Sequence, residues 1–369
     1  MHHAYTRMLA ERCITVISAN QAPSGAYVAS PAFPVYRYSW LRDGAFVADA
    51  MSRAGQVESA EAFFAWSDRV LVARRDRIET LIARHAAGDV IDTADFLPTR
   101  YTLAGEDGVE DWTDFQLDGY GAWVWALIEH ARRHRRPLAS LEGARLSARY
   151  AATFWDHPSY DWWEEYADHR HVSTLAAIFG GVHALAGWPE VGPGEREQLA
   201  GCAGRIRDRV LTAARPIGHL PKWLGTTAVD ASLIAVATPF GLLPPDDPLM
   251  VGTVLEIERQ LVHNGGVHRY ADDSYYGGGE WLLLAALLGW HYARTGRLGD
   301  AQRELEWVAS QATAAGDLPE QVTHHLLAPV ALDGWLRRWG PIATPLLWSH
   351  AMYLTLAIEL GVRPSGASG

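Results

Sequence analysis

The chain has 369 residues, of which 49% are apolar and 20% are charged, and its 43 Asp and Glu outnumber 32 Lys and Arg to give a formal charge of −11. This composition is typical of a globular protein and excludes a largely disordered chain. An acidic surface argues against nucleic acid and anionic membranes as partners.

Cys13 and Cys202 are the only cysteines, which excludes a disulfide framework and metal sites with CxxC spacing. The first residues lack the basic-then-apolar layout of a secretory signal, and no stretch approaches about 18 uncharged apolar residues. We therefore expect a cytoplasmic protein without a membrane span.

Apolar residues repeat with a helical period in twelve tracts. In chain order the tracts lie at 2–17, 42–55, 57–84, 115–136, 144–155, 172–187, 194–215, 226–237, 248–263, 279–295, 298–315 and 343–361. Strand patterns are scarce, because no run of alternating β-branched residues exceeds about five residues. The sequence therefore predicts an all-α fold.

The tracts differ in how much of their circumference is apolar. Residues 279–290 are apolar nearly all round, whereas 58–84 and 195–215 are half charged. Because only an inner layer buries every face of its helices, this alternation predicts two concentric rings of six, an (α/α)6 barrel. An irregular bundle or a solenoid is the alternative, although no repeat of about 34 to 47 residues is present. We expect one domain over 1–361 and a disordered tail over 362–369.

Several connecting segments combine acids with aromatic residues, and the 16 tryptophans suit stacking on the apolar faces of sugar rings. The aromatic loop 34–44 leads into a helix with Arg42 and Asp43 in its first turn, where a guanidinium beside a carboxylate can bind two neighbouring hydroxyls. Asp43 is equally explained as a first-turn acid stabilised by the helix dipole. In the segment 112–121, Asp114 is a candidate N-cap.

Glu164 and Glu165 directly follow two tryptophans in the segment 160–166. A carboxylic acid against aromatic walls loses solvation, so its pKa rises, as a general acid requires; the alternative is a solvated pair of surface charges. Glu320 lies in the irregular segment 315–321, from which one carboxylate can project into a cavity. Arg269, among acids and aromatic residues, is either part of a loop ion pair or a sugar clamp.

Taken in order, these segments resemble glycoside hydrolase family 15, the glucoamylases, glucodextranases and isomaltose-cleaving α-glucosidases. The resemblance rests on the W-x-RD loop, FQLDGYG, DWWEE, VHRYADDSYYGG and the late LPEQ. It implies an (α/α)6 barrel that needs no metal or other cofactor. It also implies an inverting, exo-acting α-glucosidase that releases β-glucose.

The resemblance also implies a role for each matching residue. Glu164 corresponds to the general acid and Glu320 to the general base. The remaining positions correspond to residues that bind the substrate. Arg42, Asp43 and Arg269 would hold the terminal glucose, Glu165 would lie near the leaving sugar, Tyr36 beside the catalytic water, and Trp40, Trp112, Trp163 and Trp281 along the pocket wall.

The chain departs from many bacterial members of this family, because the matching region begins within about 36 residues and leaves no room for their N-terminal β-sandwich. A single-domain form of this size fits small oligosaccharides, and we expect isomaltose or similar α-glucosides as substrates. The oligomeric state is not predicted.

Three other functions stay open at this point. A trehalase or a glycoside phosphorylase could use the same barrel, and a non-catalytic carbohydrate-binding protein could share its pocket. A metalloenzyme is disfavoured because His169-x-His171 and His324-His325 lack HExxH or CxxC partners. Lysine occurs once, at Lys222, so any Schiff-base mechanism would have to use it.

Overall fold

A computed structural model describes residues 2–110, 112, 115–138 and 141–362, with side chains from residue 4 onward. Thirteen α-helices occur in these ranges. They are α1 His2–Ala19, α2 Leu41–Arg53, α3 Val57–Val72, α4 Arg75–Ala87, α5 Asp118–His134, α6 Glu142–Phe154, α7 Val172–Ala186, α8 Pro193–Ala214, α9 Pro248–Leu261, α10 Leu282–Arg294, α11 Leu298–Ser310, α12 Leu332–Trp339 and α13 Leu347–Glu359. Residues 363–369 of the predicted tail and the candidate N-cap Asp114 lie outside the described part.

Six buried elements close into an inner ring. In ring order they are α2, α5, α7, a 3-10 segment at Ala231–Val236, α10 and α13, and α13 packs back on α2. All residues of α2 except Arg53 are buried, as is the whole 3-10 segment. A ring member is covered on every side, which explains why α7, α10 and α13 are apolar around most of their circumference.

A second ring packs behind the first. Helix α3 lies on α2, α6 on α5 and α7, α8 on α7, α9 on the 3-10 segment, α11 on α10, and α1 on α13. Few residues of α8 are buried, in keeping with its charged outer face. The predicted (α/α)6 barrel is therefore confirmed, with α4 and α12 as additions to the two rings.

The packing of α5 against α7 in the inner ring depends on glycine. A Cβ on Gly121 of α5 would lie 2.3 Å from the carbonyl oxygen of Ala177 in α7, and a Cβ on Gly181 would lie 2.4 Å from the oxygen of Gly121. No side chain fits in that space. These glycines let the two backbones touch across the barrel wall.

Three predicted tracts differ markedly from the observed elements, and one helix was not predicted. The tract 57–84 is two helices, because Arg74 leaves helical geometry (φ −106, ψ 14) and its guanidinium binds Asp107. The tract 226–237 forms only the short 3-10 segment, which ends before Pro239, a residue without an N–H to continue it. The tract 279–295 starts late because its first residues form a strand, and α12 was not predicted at all.

Three antiparallel two-stranded ribbons lie among the connections. They are β1 Ser39–Trp40 with β2 Arg100–Tyr101, β3 Val262–His263 with β4 Gly266–Val267, and β5 Glu280–Trp281 with β6 Gln321–Val322. Strand β1 leads directly into α2, and β5 leads directly into α10. The ribbons thereby fix the chain at the N-terminal ends of inner helices. None of the helices in the described ranges has both the length and the apolarity needed to cross a bilayer.

Candidate active site

A cavity of about 540 Å³ opens at the end of the barrel where the inner helices begin. Its walls come from the connections that precede α2, α5, α7, α10 and α13. All eleven residues singled out from the sequence line it. They are Tyr36, Trp40, Arg42, Asp43, Trp112, Trp163, Glu164, Glu165, Arg269, Trp281 and Glu320. The volume is that of a site for a small ligand.

Glu164 sits on a tight turn that precedes α7. Its φ is +63°, a left-handed conformation that is uncommon outside glycine, and its N–H donates to the Asp161 carbonyl at 3.1 Å. The Asp161 carboxylate accepts the backbone N–H groups of Trp163 and Glu165, both at 2.9 Å. The turn is thus held from both sides, and Glu164 projects from its apex.

The Glu164 carboxyl lies in surroundings that suit a proton donor. The Trp40 indole N–H donates to Glu164 Oε1 at 2.6 Å. Burial raises the pKa of Glu164 to about 7, although the nearby Arg42 charge opposes the rise. A carboxyl with this pKa still carries its proton in part of the molecules at neutral pH.

A buried ion network underlies this turn, and the sequence did not reveal it. Lys222 Nζ lies 3.1 Å from Asp230 Oδ2 and 3.6 Å from Asp161 Oδ2, and it sits 3.1 Å from the centre of the Tyr270 ring. Asp230 also accepts the Trp163 indole N–H at 3.0 Å. The single lysine therefore compensates two buried carboxylates that hold the Glu164 turn. It belongs to the scaffold of the turn.

Glu320 approaches the cavity from the segment between α11 and α13. Its N–H donates to the Ala343 carbonyl at 3.0 Å, and the preceding Pro319 carbonyl accepts the Ser349 hydroxyl at 2.8 Å. The side chain is only 3% exposed, and its Oε2 has no hydrogen-bond partner among the described residues. An open acceptor lone pair on a fixed carboxyl is what a base needs to take a proton from water.

Burial also raises the pKa of Glu320, to about 8, against the opposing charge of Arg269 and a hydrogen bond from Tyr36. The Tyr36 hydroxyl is in turn 2.8 Å from that of Tyr275. Glu164 and Glu320 therefore both have a raised pKa, but the order of the two values is the reverse of that expected for an acid Glu164 and a base Glu320. Their roles stay predictions from the resemblance and from the surroundings of each carboxyl.

Arg42 and Asp43 lie in the first turn of α2, and both line the cavity. Arg42 donates to Asp118 Oδ2 at 3.1 Å and to Gln116 Oε1 at 3.2 Å, and its other terminal nitrogen lies 3.2 Å from Asp43 Oδ2. Asp43 is 9% exposed, and burial raises its pKa in spite of Arg42. A solvated first-turn acid would be exposed, so the dipole interaction alone does not explain this residue.

Arg269 is held between aromatic rings and acids. It forms a buried ion pair with Asp273 at 2.5 Å and reaches Glu165 Oε1 at 3.4 Å. Its guanidinium lies 5.1 Å and 5.3 Å from the ring centres of Trp281 and Trp163. Arg269 is thus both an ion-pair partner and part of the cavity wall, which joins the two interpretations left open by the sequence.

Tryptophans line much of the cavity, and three of them, Trp335, Trp339 and Trp348, were not among the residues predicted from the sequence. Among the described residues, the indole N–H groups of Trp112, Trp281 and Trp348 are buried without a hydrogen-bond partner although all three rings line the cavity. They leave donors available to a hydroxyl-rich ligand. Trp335 and Trp339 close the rim from α12, a helix too short for its periodicity to stand out.

Comparisons with known proteins agree with these features. The family model described as Glycosyl hydrolases family 15 matches residues 3–324. An isomaltose glucohydrolase of Kribbella flavida is 49% identical over 97% of this chain and 94% of its own length. A solved glycosidase variant in complex with glucose is 48% identical, has a TM-score of 0.94 and covers 98% of this chain and 99% of its own. A trehalase of Thermoplasma volcanium is 24% identical over 86% of this chain and 54% of its own length.

Proposed function

Because this chain belongs to family 15 of the glycosyl hydrolases, we propose that it removes the terminal glucose of small α-glucosides with inversion, and that isomaltose is the favoured substrate. The enzyme is a glycoside hydrolase. The observation that carries the proposal is one cavity that Glu164 and Glu320 line from separate connections, together with the ion pair of Arg42 and Asp43.

We assign Glu164 as the general acid and Glu320 as the general base. Glu164 gives its proton to the glycosidic oxygen while the bond from C1 to that oxygen breaks. Glu320 takes a proton from a water molecule whose oxygen forms a new bond to C1 on the opposite ring face. This chemistry requires roughly 6.5–9.5 Å between the two carboxyls, enough for the sugar carbon and the water. An α-linked glucose then leaves as β-glucose.

The surroundings of the glutamates support this division of roles. Glu164 is beside the Trp40 N–H and the tryptophans of its own turn, whereas Glu320 Oε2 has an unused lone pair next to the Tyr36 and Tyr275 hydroxyls. Hydroxyl groups beside a base can orient the attacking water. After each turnover the proton must pass from Glu320 back to Glu164 through solvent.

For the proposed exo-action, we place the closed end of the cavity at Arg42 and Asp43. Arg42 and Asp43 offer donors and an acceptor to the hydroxyls farthest from the scissile bond, and Asp118 and Gln116 hold the guanidinium in place. Only a chain end fits against such a wall, because a longer chain could not continue past it. The isomaltose preference draws its support from the Kribbella relative.

The remaining parts of the proposal concern the whole protein. We propose that 1–361 act as a single catalytic unit and that the enzyme is cytoplasmic. Cys13 and Cys202 are both buried and unpaired, which agrees with a reducing compartment. We propose a small oligosaccharide as its binding partner.

The experiment that tests this function is hydrolysis of α-linked glucose disaccharides, with the first anomer released followed by proton NMR. Isomaltose, maltose and trehalose would be compared with and without phosphate. We expect isomaltose to react fastest and to release β-glucose first. Initial α-glucose would refute inversion, faster turnover of trehalose would indicate a trehalase, and glucose 1-phosphate formed only with phosphate would indicate a phosphorylase. No turnover of any disaccharide would favour a binding protein.

The acid and the base can be told apart with α-glucosyl fluoride, since fluoride leaves without a proton. We expect Glu164→Gln to lose turnover of isomaltose by about 10²-fold or more but to keep most of its turnover of the fluoride. Glu320→Gln should lose both, because water must be activated in either reaction. Equal losses on the two substrates in Glu164→Gln would contradict its assignment as the acid.

A further inference from the structure

Three side chains that the proposed reaction does not use converge behind the catalytic cavity. His263 ends β3, Glu280 begins β5, and His325 follows β6. One ligand atom from each lies within 4.8 Å of the other two, and His263 Nδ1 is 3.6 Å from Glu280 Oε1. The two imidazole rings stack with their centres 3.5 Å apart.

The cluster lies on the opposite side of the ribbon from the cavity. Neighbouring side chains of a strand point to opposite faces. Trp281 faces the cavity, and Glu280 consequently points to the back of the β5–β6 ribbon and does not line the cavity. The space beside Glu280 depends on Gly266 of β4, where a Cβ would lie 2.2 Å from the carboxyl carbon of Glu280.

Glu280 is a buried acid whose neighbours in the cluster are imidazoles. Glu280 is 3% exposed, and within the described residues its carboxylate has the His263 contact and no shorter hydrogen bond. A buried carboxylate costs free energy unless a cation or a hydrogen-bond donor compensates it. The two histidines compensate it only when they are protonated, whereas a bound dication would do so at any pH at which the imidazoles are neutral.

A further imidazole nitrogen next to the cluster is also unused. His268 Nδ1 lies 3.0 and 3.1 Å from the carbonyl oxygens of Gly278 and Gly279, so Nδ1 carries the proton and Nε2 keeps its lone pair. This Nε2 is buried and has no hydrogen-bond partner among the described residues, and its ring centre is 5.7 Å from that of His325. Imidazole nitrogens and a carboxylate, both common metal ligands, therefore lie close together beside the β5–β6 ribbon.

We propose that His263, Glu280 and His325 bind a transition-metal dication such as Zn²⁺ on the back of the β5–β6 ribbon. Two imidazoles and one carboxylate are a common three-ligand set for Zn²⁺ and leave one position to water. Imidazole nitrogen disfavours Mg²⁺ and Ca²⁺, which take oxygen ligands. Metal bonds of about 2.0–2.2 Å require the ligands to draw closer. The His263 side chain is 44% exposed and His325 is exposed, so both can rotate to do so.

The bound metal would join the β3–β4 ribbon to the segment after β6. That segment is linked to the cavity in two ways. Trp281 lies in β5, the partner strand of β6, and Glu320 directly precedes β6; both residues line the cavity. The adjacent pair His324-His325 has no HExxH or CxxC partners in the sequence. The fold supplies partners 62 and 45 positions away in the chain, which no local motif reveals. The proposal is independent of the proposed function, because none of its three ligands touches the cavity.

The test measures metal binding directly. Protein treated with EDTA would be dialysed against ZnCl₂, the bound metal counted by mass spectrometry, and the affinity measured by titration calorimetry. All proteins would carry His2→Ala and His3→Ala, because these two histidines, adjacent in the sequence, could bind Zn²⁺ themselves. We expect one Zn²⁺ per chain, a higher Tm with Zn²⁺ than with EDTA, and no comparable rise with Mg²⁺.

His263→Ala and His325→Ala should each weaken Zn²⁺ binding by at least about tenfold, as expected when one ligand is lost. Both side chains are exposed enough for the variants to fold, which circular dichroism would check. His183→Ala, at an exposed position on α7, is the matched control and should bind Zn²⁺ as the parent does. Co²⁺ should give the intense visible absorption of a tetrahedral site in the parent and the control only. Absence of saturable binding, or binding unchanged in both His263→Ala and His325→Ala, would overturn the proposal.

Discussion

The substitution Glu320→Gln should destroy activity and at the same time stabilise the protein at neutral pH. Glutamine keeps the shape of the protonated carboxyl but cannot accept the proton of the attacking water. We expect kcat to fall by about 10²-fold or more. The same change removes a group whose ionisation disfavours the folded state, because the carboxyl is 3% exposed and burial raises its pKa to about 8.

The size of the stabilisation follows from the two protonation equilibria. The pKa of the carboxyl is about 8 in the folded protein, against an ordinary value of 4.5 in the unfolded chain. The folded state therefore holds the proton more tightly, and stability that is present below pH 4.5 is lost as the pH rises toward 8. In this range each pH unit lowers the free energy of unfolding by about 1.4 kcal/mol, so the loss reaches about 3 kcal/mol at pH 7. Glu320→Gln does not suffer this loss.

Urea unfolding of both proteins at pH 4.5 and pH 7, together with turnover of isomaltose, measures the two effects. The free energy of unfolding of Glu320→Gln should exceed that of the parent by up to about 3 kcal/mol at pH 7 and by little at pH 4.5. Glu304→Gln is the matched control, because burial also raises the pKa of Glu304 to about 8 but the residue lies on α11 outside the cavity lining. It should gain similar stability and keep its kcat.

Two results would refute this reasoning. Parental turnover in Glu320→Gln would remove it from the role of general base. A difference in unfolding free energy that is the same at both pH values would mean that the gain does not come from the ionisation of a buried carboxyl.

Three more predictions test other parts of the site. Asp43→Ala should lower kcat/KM for isomaltose by about tenfold or more with a rise in KM, because the wall that positions the terminal hydroxyls is lost; unchanged steady-state kinetics would exclude that role. The pH profile of kcat/KM should be bell-shaped with its optimum between about pH 7 and 8, since burial raises the pKa of Glu164 to about 7 and that of Glu320 to about 8; an optimum near pH 4.5 would contradict the effect of burial. Lys222→Met should lower the free energy of unfolding in urea by about 3–5 kcal/mol, because it leaves the buried carboxylates of Asp161 and Asp230 uncompensated. Adding Asp230→Asn should restore part of the lost stability. If Lys222→Met alone is as stable as the parent, Lys222 does not compensate these carboxylates.

The two-ring architecture could be predicted because inner helices such as α10 and α13 are buried on all sides and are therefore apolar nearly all round. Even the stretch around Ala231–Val236, which is only a 3-10 segment, was assigned to the barrel correctly, since its apolar composition follows from its place in the ring. Helix boundaries were less predictable. The break at Arg74 follows from a contact with Asp107 in another connection, which periodicity does not contain.

The cavity residues could be found because each lies in a short segment that combines acids with aromatic residues, and the barrel brings the starts of its inner helices to one end. Their support could not be found in this way. Trp163 and Asp230 are 67 positions apart in the sequence and form a hydrogen bond in the fold. Lys222 contacts Asp161 and Asp230 only in the folded chain. An isolated lysine in a loop looks like a surface residue until the fold shows its neighbours.

The burial of Lys222 has a practical consequence for chemical labelling. Its ε-amino group is 4% exposed, paired with Asp161 and Asp230 and covered by the Tyr270 ring, and the sequence contains no second lysine. Amine-reactive esters attack a neutral amine that solvent can reach, and the folded protein offers none on a side chain. Acylation of Lys222, read by mass spectrometry, therefore requires that the segments carrying Asp161, Asp230 and Tyr270 move away from it. The rate of that single modification measures how often the ion network beneath the Glu164 turn opens.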